Sequence, residues 1–379
     1  IVGAATDTAY LITNRLFRDV SAWYHVVIAY DTTQGTSSNR IKIYINGVQE
    51  TSFSSTTYPS LNYEEVVNAT NIHRVGELSY ADGYGFNGYM ADVYLIDGQA
   101  LTPSSFGTTN AETGIWTPVA YAGSFGTNGF DLKFQNAAAL GEDSSTNGND
   151  FTVNNLTSID QTTDLATNNF ATMNALLTGS NITLKEGNTF TAANTAATGN
   201  SGSTFQIPET GKWYFEVKLT MSTGDTYPNC GIKYDSTTSQ GSMNGVFVYG
   251  NYPLVKVYVT GGTNVTSGSA YATDDIARFA IDQDNGAIYV SQNETWWNSG
   301  NPESGASKTG AVRTFTAGDY PNMTCCTNEY NDSITKWNFG NPAYTIATGN
   351  ADGNGFGNFE YAVPSGYYAL NTYNLNQLG

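Results

Sequence analysis

The chain has 379 residues, which sets a prior of two or three domains. Only 13% of residues are charged, about half the usual share. The net charge of −18 repels phosphate backbones and anionic membranes, so nucleic acid is excluded as an expected partner. Apolar runs such as Val26–Tyr30 are strand-sized and fall short of the ~18–20 residues of a membrane span, so no membrane insertion is expected. Asn, Thr, Ser and 40 Gly supply the polarity, as in exposed β-proteins outside the cytosol.

In chain order, the first strand signal is Trp23-Tyr24-His25-Val26-Val27-Ile28-Ala29-Tyr30, a β-branched and aromatic run. Residues 41–47 alternate cleanly, with Ile41, Ile43 and Ile45 on one face and Lys42, Tyr44 and Asn46 on the other. Asn46-Gly47 then predicts a hairpin turn into Val48-Gln49-Glu50. Residues 88–96 read as a further strand, closed by Asp97-Gly98. These segments, with Phe86-Asn87-Gly88-Tyr89-Met90-Ala91-Asp92-Val93 and Ala100-Leu101-Thr102-Pro103, resemble the second half of a laminin-G-like, concanavalin A-like domain. The family's first strands have no counterpart before Trp23. The resemblance therefore implies a domain entered part-way, or one completed by a neighbouring chain.

Residues 141–165 are rich in Asn, Ser, Thr and Asp and read as the boundary between domains 1–165 and 166–379. Residues 191–203 (Ala, Thr, Asn, Gly, Ser) read as a flexible loop. In the second half, Gly211-Lys212-Trp213-Tyr214-Phe215-Glu216-Val217, Cys230-Gly231-Ile232, Ala280 to Val290, Asn293 with Trp296, and Trp337-Asn338-Phe339-Gly340 resemble a SPRY domain, in the family's order. Helical periodicity is nearly absent. The expected fold is all-β: two tandem concanavalin A-like antiparallel sandwiches, or jelly rolls, the first short of its N-terminal strands.

Motifs for chemistry are weak. Gly83-Tyr84-Gly85-Phe86-Asn87-Gly88 fits G-x-G-x-x-G, but a strand rather than a helix is expected after it. Asp282-Gln283-Asp284-Asn285-Gly286 fails the EF-hand spacing and reads as a hairpin turn. No E-x-D-x-x-E run appears, Glu64 and Glu65 point oppositely on any strand, and Glu216 reads as structural. The expectation is a protein that is not an enzyme. Three cysteines, Cys230, Cys325 and Cys326, give no disulfide framework, and the last two face opposite sides of one strand. No cofactor is expected. The laminin-G resemblance implies a possible calcium ion, although no ligand set is visible.

Aromatics remain as contact residues: 26 Tyr, 18 Phe and 6 Trp. Ligand-binding candidates are Tyr80, Asp82 and Tyr84 in one Gly-rich loop, Tyr227 and Tyr252 beside prolines, and Trp297 as the outward member of the Trp296-Trp297 pair. The tandem layout, Asn147 to Val153 and the tail Phe359 to Leu370 resemble virion structural proteins of marine tailed phages. That resemblance implies an appendage such as a tail fibre, on the virion surface, whose partners are other virion proteins and a host-surface glycan or receptor. It also implies a homo-oligomer, although no heptad stretch fixes the number of subunits. The alternatives are a purely structural decoration and a secreted or cell-surface bacterial carbohydrate-binding module.

Overall fold

The computed structural model describes residues 9–19, 22–64, 67–69, 72–77, 85–111, 114–194, 198–220, 228–235, 244–249, 256–259, 265–266, 271–330 and 332–379. The chain divides into two compact units, Ile1–Gln161 and Thr162–Gly379. The expected boundary stood at 165/166. Residues just before it are tied to the second unit: the Thr163 hydroxyl donates to the Gly340 carbonyl (2.7 Å), and Asp164 accepts from the Phe170 amide (2.7 Å).

The described strands of the first unit are β1 (Tyr10–Thr13), β2 (Val26–Tyr30), β3 (Ile41–Ile45), β4 (Val48–Gln49), β5 (Phe53–Thr57), β6 (Val93–Leu95), β7 (Gly107–Thr109), β8 (Trp116–Pro118) and β9 (Phe130–Leu132). They pair antiparallel as β1-β5, β2-β3-β4, β6-β9 and β7-β8. The Ile41/Ile45 face is buried, as its alternation requires. Asn46 (φ 48°) and Gly47 (φ 80°) form the expected β3–β4 turn. A Cβ on Gly47 would lie 2.4 Å from the Trp116 ring, so both φ and space demand glycine there.

The strand expected over 88–96 forms only at Val93–Leu95, because Asp92 adopts a left-handed φ of 50° that breaks the extended run. Part of the stretch expected as a boundary is ordered. Asp143 accepts from the amides of Asp131, Ser145 and Asn149 (2.8–2.9 Å), and the Asn147 side chain donates to the carbonyls of Gly126 and Gly129 (2.7 and 2.9 Å). Short polar side chains here replace ladder hydrogen bonds.

The second unit contains β10 (Ile182–Lys185), β11 (Phe190–Ala193), β12 (Thr198–Ile207), β13 (Lys212–Thr220), β14 (Asn229–Lys233), β15 (Gly245–Tyr249), β16 (Lys256–Val259), β17 (Val265–Thr266), β18 (Ile276–Asp282), β19 (Ala287–Gln292), β20 (Thr295–Trp296), β21 (Arg313–Thr314), β22 (Met323–Tyr330), β23 (Ile334–Asn338), β24 (Tyr368–Ala369) and the C-terminal helix α1 (Thr372–Leu378). One sheet runs β10-β11-β23-β13-β18-β19-β20, with β21 on β19 and β24 parallel to β13. The other runs β12-β22-β14-β15-β16-β17. The fold is all-β.

The two sheets enclose one aromatic core. Phe215 stacks on Phe279 (centroids 4.8 Å apart) and on Trp337 (5.7 Å), and Trp337 stacks on Phe339 (5.5 Å). Cys230, Ile232, Val246, Val248, Met323 and Cys325 belong to the same buried cluster. Cys325 and Cys326 alternate along β22, yet both are buried, as is Cys230, and all three are free thiols. Where β22 meets the larger sheet, Glu329 accepts from the hydroxyls of Thr191, Thr327 (2.7 Å) and Thr335 (2.6 Å), and its Oε2 has no partner. Burial pushes its pKa up to about 7, against the pull of those three hydroxyls.

Two sequence expectations change. Within the run 191–203, β12 begins at Thr198, where a loop was expected. Its small residues allow close packing: a Cβ on Gly199 would meet Ile182 at 2.5 Å. Asp282 to Gly286 is the β18–β19 turn, as read. There Asp282 accepts from Asn285 (2.9 and 2.8 Å), and its carboxylate is 3.1 Å from Lys212.

Candidate functional site

Tyr80, Asp82, Tyr84, Tyr227 and Tyr252 lie outside the described residues. Trp297 is 4% exposed, its ring stacked on Tyr271 at 6.0 Å, so the outward role expected for it is reversed. The cause is local. Trp296 pairs with Ser291 in the β19–β20 hairpin, which sets its side chain on the outer face of the larger sheet. Trp297 then leaves the strand in a 3-10 turn, Trp297–Ser299, and folds inward. The outward member of the pair is Trp296, half-buried.

Register identifies what shares that outer face. Glu216 on β13 lies opposite Arg278 on β18, which lies opposite Ser291 on β19, which lies opposite Trp296 on β20. Directly opposed residues share a face. Arg278 donates through Nε to the Ser291 hydroxyl (2.6 Å). Its guanidinium lies 4.3 Å from the centroid of the Trp296 ring and 4.9 Å from that of Tyr361. Arg278 is thus packed between two aromatic faces, an arrangement worth about 0.5–2 kcal/mol per contact.

Tyr361 belongs to the C-terminal segment that crosses this face, and Glu216 fixes the crossing. The Glu216 carboxylate accepts from the backbone amides of Tyr361 (2.9 Å) and Glu360 (3.0 Å), and from the side chains of Tyr214 (2.8 Å), Asn338 (3.2 Å) and Tyr344 (3.4 Å). Burial pushes its pKa up, and the two backbone amides pull it back. Among the described residues no ion pair within 4.0 Å joins Arg278 to a carboxylate, and its Nη2 is buried without a partner. The cation's compensation comes from ring faces and a hydroxyl. The result is a ledge of two half-buried rings, Trp296 and Tyr361, packed against Arg278. It can stack on a sugar ring or an apolar side chain.

The sequence reading missed Arg278 and Tyr361. A signal for the first was present: Ile276-Ala277-Arg278-Phe279-Ala280-Ile281 places one cation inside a strand buried along its whole length. Nothing in the sequence tied Tyr361 to β18, because the contact depends on where Glu216 pins a distant segment. His25 is packed, its ring 5.7 Å from Trp116, and burial lowers its pKa. Among the described residues no group of three or more His, Cys, Asp or Glu is arranged to hold a metal ion.

Residues 1–105 match the family described as the concanavalin A-like lectin/glucanases superfamily, of laminin-G type. No curated protein matches the chain. The SPRY domain of human HERC1 is a solved structure similar to this chain, at 10% identity and a TM-score of 0.33, covering 44% of this chain and 96% of that one. The metal-free carbohydrate recognition domain of Emp46p is similar at 11% identity and a TM-score of 0.31, covering 42% and 83%.

Proposed function

We propose that the chain is a non-enzymatic binding component of a phage virion appendage, touching a host-surface glycan or protein through β-sandwich surfaces. The observation that carries the binding reading is the Trp296–Arg278–Tyr361 stack. It presents aromatic rings at a surface and spends a buried carboxylate, Glu216, on holding them. A general acid or base must reach its substrate. Glu216 and Glu329 are both fully buried and wrapped by internal donors, so neither is placed for such work. The laminin-G-type match over residues 1–105 supports a lectin-like first unit. The virion assignment rests on the sequence resemblance, with other virion proteins, including copies of this chain, as partners.

Two measurements test this. Host-cell adsorption by the purified chain should fall about tenfold or more in Trp296→Ala, a loss of roughly 1.4 kcal/mol or above, with the far-UV spectrum unchanged. Unaltered adsorption would remove the ledge from the contact surface. Mass spectrometry of purified particles should detect the chain, and its absence there would overturn the virion role.

A second reading, a structural segment that contacts only other virion subunits, is favoured by the apolar residues Val26, Ile28 and Val48, each more than half exposed on the first unit. An assembled particle in which those residues are covered and Trp296 is buried would select it.

A further inference from the structure

At the end of the larger sheet away from the ledge, Lys185, Lys336 and Lys218, three of the chain's 15 basic residues, share one row. Register sets the row. Lys185 on β10 lies opposite Phe190 on β11, Phe190 lies opposite Lys336 on β23, and Lys336 lies opposite Lys218 on β13. Directly opposed residues share a face. That face is the outer one, because Lys218 is two residues from Glu216 on β13, whereas the alternate residues Thr191 and Thr335 turn inward to Glu329. Lys185 is exposed, and Phe190 and Lys336 are half-buried. The ammonium groups of Lys185 and Lys336 each lie 5.8 Å from the centroid of the Phe190 ring.

Edge protection explains part of this row. β10 ends the sheet, and a lysine on an end strand discourages pairing with a stray strand. Lys336 has no such duty, because β23 lies between β11 and β13. Its direct neighbour is moreover another cation, and like charges directly opposed destabilise a sheet. Lys218 is offset by Asp274, 3.2 Å away. Among the described residues no ion pair within 4.0 Å joins Lys185 or Lys336 to a carboxylate. None of β10, β11 and β23 contains an Asp or Glu, in a chain with 33 acidic residues against 15 basic. Local rules broken without internal compensation concentrate at functional sites.

We propose that the Lys185–Phe190–Lys336 row binds an acidic sugar unit, one that carries a carboxylate or a sulfate, with the sugar's C–H face on Phe190 and its acid group on a flanking ammonium. The ring supplies the stacking surface, and the lysines supply charge-assisted hydrogen bonds. Two strand spacings of ~4.8 Å place the two lysine positions roughly 10 Å apart. An acid group at either edge of a sugar stacked on Phe190 therefore meets a cation, whereas a neutral sugar answers neither. The chain's net charge of −18 repels anions elsewhere, which confines the contact to this row. The inference rests on the binding-module reading for the choice of a glycan and uses none of the ledge residues.

Ligand-observed NMR with the full chain at low salt tests it, using a galacturonate hexamer, its methyl ester (the same rings without the charge), a sulfated galactose hexamer and hexaglutamate. At least one of the two acidic hexamers should give saturation transfer, and the methyl ester should give none. A response to one acidic hexamer alone assigns the acid group as carboxylate or sulfate. Lys185→Gln and Lys336→Gln should each weaken binding about fivefold. Lys185 is an exposed side chain, so its variant reads binding and not folding. Phe190→Leu, which stays apolar but loses the flat ring, should weaken binding by a similar factor, and Trp296→Ala should leave it unchanged. Salt at ~1 M, where charges are screened within ~3 Å, should abolish the signal. The site is refuted if neither acidic hexamer binds at millimolar concentration, if the methyl ester binds as well as its acid, if both lysine variants bind like the wild type, or if hexaglutamate binds as tightly as the sugars. Loss of adsorption in Trp296→Ala without any acidic-sugar signal would sink the row and leave the ledge standing. An acidic-sugar signal with adsorption unaffected by Trp296→Ala would do the reverse.

Discussion

The two units spend their aromatic residues differently. In the second, rings stack face to face between two broad sheets, as in Phe215 on Phe279 and Trp337 on Phe339. In the first, rings meet edge-on or tilted around short strands, as in Tyr94 with Phe125 and Tyr121 with Phe125. The sheets of the first unit have two or three strands among the described residues, and Ile12, Val26, Ile28 and Val48 stay exposed on them. A sheet buries an apolar face only against a second layer. The second unit supplies that layer from its own chain. The first leaves apolar strand residues for whatever covers them, so surface changes there should act on association and core changes in the second unit on folding.

The sharpest break of that contrast is Phe215→Ala. Losing a fully buried ring from a stacked core should cost about 3–5 kcal/mol, read as a lowered calorimetric transition of the second unit. Val26→Ala, at a residue 53% exposed, should move stability by no more than ~0.5 kcal/mol. Equal losses from the two would show that the first unit's exposed face is in fact packed.

Next in size is the pH response of the interlayer carboxyl. Glu329 titrates near pH 7 when folded, against an ordinary 4.5. The folded state therefore holds its proton more tightly. The stabilisation is complete below about pH 4.5 and is lost as pH rises through about 7, a swing on the order of 3 kcal/mol. Glu329→Gln should flatten that slope in urea titrations between pH 4.5 and 7.5, and a slope left unchanged would assign the response to other groups.

Below that comes Gly47→Ala in the first unit. A left-handed φ of 80° together with the Trp116 ring should cost about 1–3 kcal/mol, spread over local unfolding. Hydrogen exchange at β3 and β4 is the readout, and protection equal to the wild type would show that Trp116 swings clear.

Strands with strict alternation or β-branched density were legible. Ile41 to Ile45 and the Asn46-Gly47 turn emerged where local pattern placed them. The polarity of Thr198 to Gly202 suggests a loop, whereas their pairing with β22 and the close approach at Gly199 are tertiary facts. Similarly, local alternation split Trp296 from Trp297 but did not say which faced out. That choice was made by the hairpin register and by the turn that ends β20. The ledge needed Arg278, Trp296 and Tyr361 together, and the Glu216 bonds to residues 360–361 tie the segment that carries the last of them to β13.

The three thiols carry one more consequence. Burial raises the pKa of Cys230 and Cys325 well above the ordinary thiol value and lifts that of Cys326 to about 12, so hardly any thiolate exists in the native protein at neutral pH. Oxidants and disulfide partners need thiolate and access, and native Cys230, Cys325 and Cys326 offer neither. The thiols of the folded chain are redox-silent. The chain can meet an oxidising medium without cross-linking to its neighbours through these thiols, and a maleimide probe would label it only after denaturation.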